Sequence, residues 1–297
     1  FAIKDNFSTK GIPTTGSSDI LKDYVPIYDS EVVTRLKNSK AILIGKTTLD
    51  ELAMGGSGTT GHTGATKNPW DDTRLIGGSS AGSASAVASG IVPFAIGSDT
   101  GDSIRKPAAY GGIVGFKPTY GLVSRYGLFP FACSMDHVGC FTRSVKDVAY
   151  VLDCVKGKDA RDMTSLPDTK VSFSEEITTD IKGKKLFYLK EVCDLNQFDD
   201  VDDEFKEIMD NFNEVVKKYE SLGAIVEEVS VDKELLKAIS PVYFTISCAE
   251  AKSCLMCACD TLELLTLFII SSKSLIFSWV SRLTYSSILK SCRETNS

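Results

Sequence analysis

Residues 77–103 read GGSSAGSASAVASGIVPFAIGSDTGDS, with a turn rich in glycine and serine at each end. Each turn adjoins a run of small residues that can pack closely at the start of a helix or the end of a strand. Between the turns, the apolar residues 91–96 form a strand candidate. Because flexible linkers rarely enclose a core strand, we predict that both turns belong to the folded core. Backbone amides in such turns can face a common space and bind a developing oxyanion.

Outside this stretch, apolar residues recur with spacings that alternate between those of strands and those of helices. Predicted strands cover residues 1–4, 41–45, 112–116, 185–189 and 224–231, and predicted helices cover residues 30–40, 48–54, 144–155 and 201–222. This alternation predicts an α/β fold in which helices enclose a central sheet.

The composition is that of an ordinary globular protein. The chain has 297 residues, of which 43% are hydrophobic and 24% charged, so whole-chain disorder and collagen-like repeats are excluded. A net charge of −6 gives no electrostatic reason for tight autonomous binding of nucleic acid. With only His62 and His137, a histidine-rich metal site is excluded, and a Ser-His-Asp hydrolase has only two positions for its base. Cys254, Cys257 and Cys259 cluster without a second pair of ligands, so we predict no metal site.

The composition changes towards the C-terminus. All 23 glycines lie at or before Gly223, whereas five of the nine cysteines lie in residues 248–292. We interpret residues 1–252 as one domain, incomplete at both ends, and residues 253–297 as a divergent tail rich in serine, leucine and cysteine. The odd number of cysteines and the lack of a secretory signal favour a cytoplasmic setting with free thiols. Charged residues and serines interrupt the apolar residues 262–280, so we predict no membrane span.

Several short motifs offer other interpretations of the same region. Ser80 lies in a G-x-S-x-G pattern, the elbow of many hydrolases, for which only His137 could serve as the downstream base. Ser103 and Lys106 match S-x-x-K, but the companion motifs S-D-N and K-T-G are absent. Residues 56–61 match the letters of a dinucleotide fingerprint without the strand before it and the helix after it that such a site needs. Each of these interpretations accounts for fewer residues than the interpretation in which both turns bind an oxyanion.

Five longer motifs occur in order along the chain: AIKDN at residues 2–6, KNPWD at 67–71, GGSSAGSA at 77–84, GSDTGDSIR at 97–105 and GFKPTYGLVSRYG at 115–127. Together they resemble the amidase signature family, and the last one resembles in particular the glutamine-hydrolysing subunits of tRNA-dependent amidotransferases. The resemblance runs from Phe1 to about Glu250. It implies the α/β amidase-signature fold, a mixed central β-sheet covered by helices on both faces, with its C-terminal part missing.

The family carries a Ser-Ser-Lys triad, and the resemblance places it on three residues of this chain. By motif position, Lys4 would be the base, Ser79 the bridging serine, which follows a cis peptide bond in the family, and Ser103 the nucleophile. The oxyanion hole would be formed by the backbone amides of Thr100, Gly101 and Asp102. Many family members carry glycine in place of Asp102, and we expect its carboxylate to point away from the oxyanion.

These residue types suit the chemistry of amide hydrolysis. A serine hydroxyl is a poor nucleophile until a base accepts its proton, and a neutral lysine can serve where no histidine is well placed. Making a lysine about a thousandfold more acidic costs roughly 4 kcal/mol and requires its removal from water. Lys4 ends an apolar strand that can desolvate it, and Asp5 would lie on the opposite face of that strand.

The resemblance implies a glutamine amidohydrolase subunit that acts through an acyl-enzyme. Ammonia released from glutamine would serve the transamidation of Glu-tRNA(Gln) or Asp-tRNA(Asn) in a heterotrimer with two other subunits. No cofactor is expected in this chain, whereas ATP and Mg would be bound by a partner subunit, which would also hold the mischarged tRNA.

Two alternatives stay open at this point. The chain would be either a stand-alone amidase of the same family that acts on a free small amide, or an inactive, truncated scaffold. After about Lys252 the sequence loses the family pattern. The family's glutamine ligands are expected in that later region, and we assign none of them to a residue of this chain.

Overall fold

The computed structural model describes residues 1–177, 180–195, 201 and 203–258. From residue 259 onward, the predicted tail lies outside these residues, and the domain boundary after Lys252 stays a prediction.

The described residues up to Ser247 form one compact unit, and a second unit begins at Cys248. None of the described helices combines the length and the apolar composition that a membrane-spanning segment needs. In this part of the chain the strands are β1 (Ala2–Lys4), β2 (Gly45–Thr47), β3 (Phe94–Asp99), β4 (Val114–Phe116), β5 (His137–Thr142), β6 (Lys185–Leu189) and β7 (Ile225–Val229). The helices are α1 (Glu31–Asn38), α2 (Ala81–Ala88), α3 (Arg105–Tyr110), α4 (Val145–Val155), α5 (Phe173–Glu176), α6 (Lys190–Cys193), α7 (Asp203–Ser221) and α8 (Lys233–Ala258).

Five strands form the central sheet in the order β2-β1-β3-β5-β4. β1 runs parallel to both of its neighbours, with Ala2 beside Gly45 of β2 and Ala95 of β3. β5 is antiparallel to β3 and to β4. The sheet is therefore mixed, and the short strand that ends at Lys4 lies in its interior.

Helices cover both faces of this sheet. Successive side chains of a strand point in opposite directions, so the apolar strands present apolar side chains on each face. On one face Ile3 and Ile96 pack with residues of α1 and α4, and on the other Ala2 and Ala95 pack with residues of α2 and α3. In α1 the predicted apolar positions are the buried ones: Val32, Val33 and Leu36. Each fully buried aliphatic side chain of this kind contributes about 1.5–3 kcal/mol. The predicted fold class, a mixed sheet with helices on both faces, is confirmed.

A second, smaller sheet pairs β6 and β7 in parallel, from Lys185 beside Ile225 to Leu189 beside Val229. Parallel strands need a crossover connection, and the segment between them contains α7. The predicted strands and helix of this region agree with the observed ones within three residues at each end.

Two of the predicted strands begin too early in the chain. Residues 41–44 of the first of these precede the paired strand β2, and the side chains of Ile42 and Ile44 are exposed. Residues 91–93 precede β3, because Pro93 has no amide hydrogen to give to a neighbouring strand. In both places the apolar run in the sequence begins before the first residue of the observed strand.

Other elements were predicted in the wrong form or not at all. The predicted helix at residues 48–54 is a single 3₁₀ turn at Glu51–Ala53, because Leu52 and Ala53 adopt positive φ angles of 52° and 63°. The elements that were not predicted are β5, α2, α3, α5, α6 and α8. In β5 the polar residues His137 and Thr142 stand at the two ends and obscure the apolar pattern between them.

Candidate active site

Lys4 is the last residue of β1 and is completely buried. Its position in the sheet interior, between β2 and β3, follows from the parallel pairing of β1 on both sides. The ammonium Nζ donates to Ser79 Oγ at 2.7 Å and to Ser98 Oγ at 2.9 Å. Asn6 Nδ2 also donates to Ser98 Oγ, at 3.0 Å. The predicted base therefore contacts the predicted bridging serine directly.

Burial controls the basicity of this lysine. Desolvation lowers the pKa of Lys4 from 10.5 to about 7, while the negative charges of Asp50, Asp99 and Asp136 oppose the decrease. Asp5, the next residue, forms an ion pair with Lys46 at 3.0 Å and accepts hydrogen bonds from Thr15, on the opposite side of the strand. A substantial neutral fraction of Lys4 is therefore present near pH 7.

Ser79 follows a cis peptide bond between Gly78 and Ser79, as the resemblance implies. Its carbonyl oxygen accepts from the Asp50 amide at 3.1 Å. A Cβ atom added to Gly78 would lie 2.1 Å from Asp50 Oδ2 and 2.8 Å from the Gly58 nitrogen. Glycine at position 78 is thus required by the close approach of the buried Asp50 carboxylate and of the backbone at Gly58.

The carboxylate of Asp50 arranges the loop beside Ser79. It accepts hydrogen bonds from three successive backbone amides, which are 2.9–3.1 Å away and belong to Gly58, Thr59 and Thr60. The side chain is completely buried, so these bonds replace the water that the carboxylate loses.

Ser103 is 5% exposed and ends the second glycine-serine turn. Its carbonyl oxygen accepts a hydrogen bond from the Ser80 amide at 3.2 Å. The backbone of Ser103, the predicted nucleophile, therefore lies beside the backbone of Ser80. The two turns that the sequence analysis singled out are therefore adjacent in the fold, at the end of β1 that carries Lys4.

The predicted oxyanion turn lies between β3 and Ser103 and is held on two sides. Thr100 Oγ1 donates to Asp136 Oδ1 at 2.6 Å. The guanidinium group of Arg105 donates to the Gly101 carbonyl oxygen and to Asp99 Oδ1, at 3.0 Å in the second case. These contacts restrain the direction of the backbone amides in the turn.

Asp102 stands beside the predicted nucleophile and is bound to the following helix. Its Oδ2 lies 2.7 Å from Lys106 Nζ, four residues further along the chain. This ion pair keeps the carboxylate engaged with a cation of α3. Lys106, the lysine of the S-x-x-K pattern, is thus paired with Asp102.

The Ser80–His137 interpretation finds no support in the contacts of either residue. Ser80 is completely buried and its Oγ donates to the Ser98 carbonyl oxygen at 3.0 Å. His137 Nδ1 lies 2.6 Å from the Met135 carbonyl oxygen, and its ring packs edge-on against Tyr120. Burial lowers the pKa of His137, so the imidazole is largely neutral and serves the local packing.

Several residues of the site were missed by the sequence analysis. Ser98 lies within the second glycine-serine turn. The sequence analysis assigned a role only to backbone amides of that turn and not to the Ser98 side chain. Asp50 and Asp136 are brought to the site by the fold from distant parts of the chain. No local sequence pattern indicates these contacts. Tyr243 of α8 packs against the oxyanion turn, since a Cβ added to Gly101 would lie 2.9 Å from its Cζ and Oη atoms. Among the described residues, no group of three His, Cys, Asp or Glu side chains is arranged to hold a metal ion.

The sequence model of the Amidase family matches residues 1–293, nearly the whole chain. The chain belongs to the amidase family. The resemblance inferred from the five motifs is thereby confirmed. Among curated amidase-family proteins, the A subunit of the glutamyl-tRNA(Gln) amidotransferase of Staphylococcus aureus (strain MRSA252) is 51% identical over 251 residues, which are 84% of this chain and 50% of that protein. The chain thus spans about half the length of the curated relatives it matches.

Solved structures of the amidase family share the fold. The A subunit of the glutamyl-tRNA(Gln) amidotransferase of Thermotoga maritima matches with a TM-score of 0.80 and 38% identity, over 96% of this chain and 61% of that one. The peptide amidase of Stenotrophomonas maltophilia matches with a TM-score of 0.77 and 31% identity, over 86% of this chain and 52% of that one.

Proposed function

We propose that the chain is a glutamine amidohydrolase subunit that supplies ammonia for the transamidation of Glu-tRNA(Gln) or Asp-tRNA(Asn). The observation that carries the proposal is the 2.7 Å contact between Lys4 and Ser79, in which burial lowers the pKa of the lysine to about 7. The choice of glutamine and of a tRNA-dependent reaction is supported by the 51% identity to the A subunit of a glutamyl-tRNA(Gln) amidotransferase.

The proposed reaction begins with attack of Ser103 Oγ on the side-chain amide carbon of glutamine. The Ser103 proton passes to Ser79 as the Ser79 proton passes to neutral Lys4. The net result is the transfer of one proton from Ser103 to Lys4. The negative charge that develops on the amide oxygen is stabilised by the backbone amides of residues 100–102, each of which contributes about 3–4 kcal/mol.

The tetrahedral intermediate then collapses to an acyl-enzyme. The proton held by Lys4 returns through Ser79 to the amide nitrogen, the C–N bond breaks and ammonia leaves. Water attacks the ester with the same base, and glutamate is released as Ser103 regains its proton. The chain's own residues thus supply the nucleophile, the base, the proton path and the oxyanion donors, and no cofactor takes part in these steps.

In the proposed assembly, this chain acts with two other subunits as a heterotrimer. Ammonia passes to a partner subunit that activates the tRNA-bound glutamate or aspartate with ATP and Mg. This part of the proposal is supported by the similarity to proteins that are themselves named as subunits of an amidotransferase.

A second candidate is a stand-alone amidase for a free small amide, favoured by the 31% identity and TM-score of 0.77 to a peptide amidase. Co-purification with partner subunits and glutaminase activity stimulated by tRNA would support the first candidate. Hydrolysis of small amides without partners, and no response to tRNA, would support the second.

A fluorophosphonate that phosphonylates activated serines, with loss of fluoride, tests whether the site works at all. We expect a single adduct on Ser103 in the folded chain, lost in Ser103→Ala and in Lys4→Ala. Ser8→Ala is the matched control, because Ser8 Oγ is buried and makes no hydrogen bond to any described residue. A folded chain with no adduct would overturn the proposed function and indicate an inactive scaffold.

A further inference from the structure

Asp136 is a buried carboxylate that the proposed reaction does not use. The residue is 3% exposed and lies immediately before β5. Its Oδ1 accepts from Thr100 Oγ1 at 2.6 Å, its Oδ2 from the Phe131 amide at 2.9 Å, and both oxygens lie 3.1 Å from the Ala132 amide. Three donors around one carboxylate offset the loss of its hydration.

These donors belong to two different segments of the chain. Phe131 and Ala132 lie in the loop before β5, whereas Thr100 lies in the predicted oxyanion turn after β3. In the antiparallel pair of these strands, Asp99 is the partner of His137. Thr100 and Asp136 are therefore the next residues beyond the last paired position. Their side-chain hydrogen bond continues the contact between the two strands into the turn.

We propose that Asp136 is a positioning residue, which fixes the oxyanion turn through the hydroxyl group of Thr100. The inference rests on the proposed function, since it assumes that the Thr100 amide contacts the oxyanion. A hydrogen bond to an ionised acceptor is shorter and roughly twice as strong as a neutral one. With its side chain bound to Asp136, Thr100 cannot turn its backbone amide away from the site.

Oxyanion donors act only when they are held in place before the reaction. The donor nitrogen must lie about 2.7–3.1 Å from the position that the oxyanion will occupy. Gly101, the next residue, has no side chain to anchor it, so the turn depends on contacts at its two sides. Asp136 supplies the contact at Thr100, and Arg105 supplies the contact at the Gly101 carbonyl oxygen.

Asp136 also acts on Lys4 through its charge, and this contribution can be separated from positioning. The charged groups that raise the pKa of Lys4 against the effect of burial are Asp50, Asp99 and Asp136. Removing the charge of Asp136 is expected to lower the pKa of Lys4. Removing only the Thr100 hydroxyl keeps all three carboxylates, although the loss of this hydrogen bond raises the pKa of Asp136. The pKa of Lys4 is therefore expected to change less than in Asp136→Asn.

The test measures the rate of Ser103 phosphonylation by a fluorophosphonate between pH 5.5 and pH 9, in the full chain. The variants are Thr100→Val, Thr100→Ser, Asp136→Asn and the double variant Thr100→Val/Asp136→Asn. Thr100→Val keeps the shape of the side chain and is expected to lower the plateau rate by about 10- to 100-fold, somewhat less than the loss of a whole oxyanion donor. It should move the midpoint of the pH profile less than Asp136→Asn does.

The conservative and double variants give independent readouts. Thr100→Ser keeps the hydroxyl group and is expected to react nearly as fast as the wild type. Asp136→Asn is expected to slow the reaction and also to move the midpoint to lower pH. Because both substitutions break the same contact, the double variant should be little slower than the slower single variant.

The outcomes separate this inference from the proposed function. A wild-type rate in Thr100→Val, or full additivity in the double variant, overturns the inference and leaves the proposed function standing. A folded wild-type chain with no adduct at Ser103 overturns both. If Asp136→Asn fails to fold, the comparison of Thr100→Val with Thr100→Ser decides alone.

Discussion

Lys4 Nζ lies 2.7 Å from Ser79 Oγ, and both side chains are completely buried. In this contact an ammonium group can only donate to the hydroxyl, whereas a neutral amine can accept its proton. The proposed chemistry therefore requires the deprotonated lysine. Because burial lowers the pKa of Lys4 to about 7, both forms are present near neutral pH.

The rate of Ser103 labelling by a fluorophosphonate is expected to rise with pH and to level off above a midpoint of about 7, the pKa of Lys4. Well below the midpoint, the rate should fall about tenfold for each pH unit, since only the neutral lysine accepts a proton. Labelling by a fluorophosphonate between pH 5.5 and pH 9 measures this profile. A flat profile, or one that still rises steeply at pH 9, would contradict the role of Lys4.

Replacing Lys4 by methionine is expected to abolish labelling and to change how stability depends on pH. Between pH 7 and pH 10.5 the unfolded chain binds a proton at Lys4 that the folded chain does not, so the unfolding free energy of the wild type rises with pH. The penalty is fully present below pH 7 and disappears near pH 10.5. Relative to Lys4→Met, the wild type should gain about 4 kcal/mol over this range, at 1.36 kcal/mol per pH unit.

Urea unfolding of both proteins at several pH values from 7 to 10 measures this difference. Lys10→Met, at an exposed lysine, is the control for the loss of a positive charge. A difference between wild type and Lys4→Met that stays constant with pH would show that the lysine is not desolvated in the folded chain.

Gly78→Ala is expected to destabilise the chain by about 1–3 kcal/mol or more, as overpacking does in a closely packed interior. The new Cβ would lie 2.1 Å from Asp50 Oδ2, so the loop at residues 58–60 or the peptide bearing Ser79 would have to shift. Labelling of Ser103 should be lost with it. Gly45→Ala is the control, because a Cβ at Gly45 meets no atom within 4 Å. Equal unfolding midpoints for the two variants would contradict this account.

His137→Ala is expected to leave the labelling of Ser103 nearly unchanged, since the imidazole is bound to the Met135 carbonyl oxygen and to the ring of Tyr120. Loss of its hydrogen bond should lower the unfolding free energy by about 1 kcal/mol. Mass spectrometry of the labelled protein identifies the modified serine. An adduct that moves to Ser80, or that disappears in His137→Ala while it persists in Lys4→Ala, would favour the Ser-His hydrolase.

The sequence predicts a site from short continuous motifs. Lys4, Ser79 and Ser103 each stand in a motif of their own, and the structure brings the first two into contact. The sheet interior around β1 could likewise be predicted, because the apolar residues of a strand follow one another along the chain. These features depend on local order alone.

The contacts that surround the proposed triad could not be predicted in the same way. Thr100 and Asp136 are 36 residues apart and meet only because β3 pairs with β5, a strand whose polar ends obscure it in the sequence. Asp50 donates its backbone amide to the Ser79 carbonyl oxygen, and its carboxylate is held mainly by the backbone amides of residues 58–60. The pairing of distant strands and hydrogen bonds to backbone amides do not depend on the local pattern of residue types, so that pattern cannot predict them.

The place of Lys4 at the end of an interior strand limits what can move during the reaction. A backbone bound to strands on both sides cannot shift without breaking hydrogen bonds to two neighbours, so the base stays where it is. The motions that remain are rotations of the Ser79 and Ser103 hydroxyl groups about their Cβ–Oγ bonds. Such rotations take picoseconds to nanoseconds, whereas enzymes of ordinary speed turn over about 1–1000 times per second. Entry of the amide and cleavage of its C–N bond, and not delivery of the base, are therefore expected to set the rate.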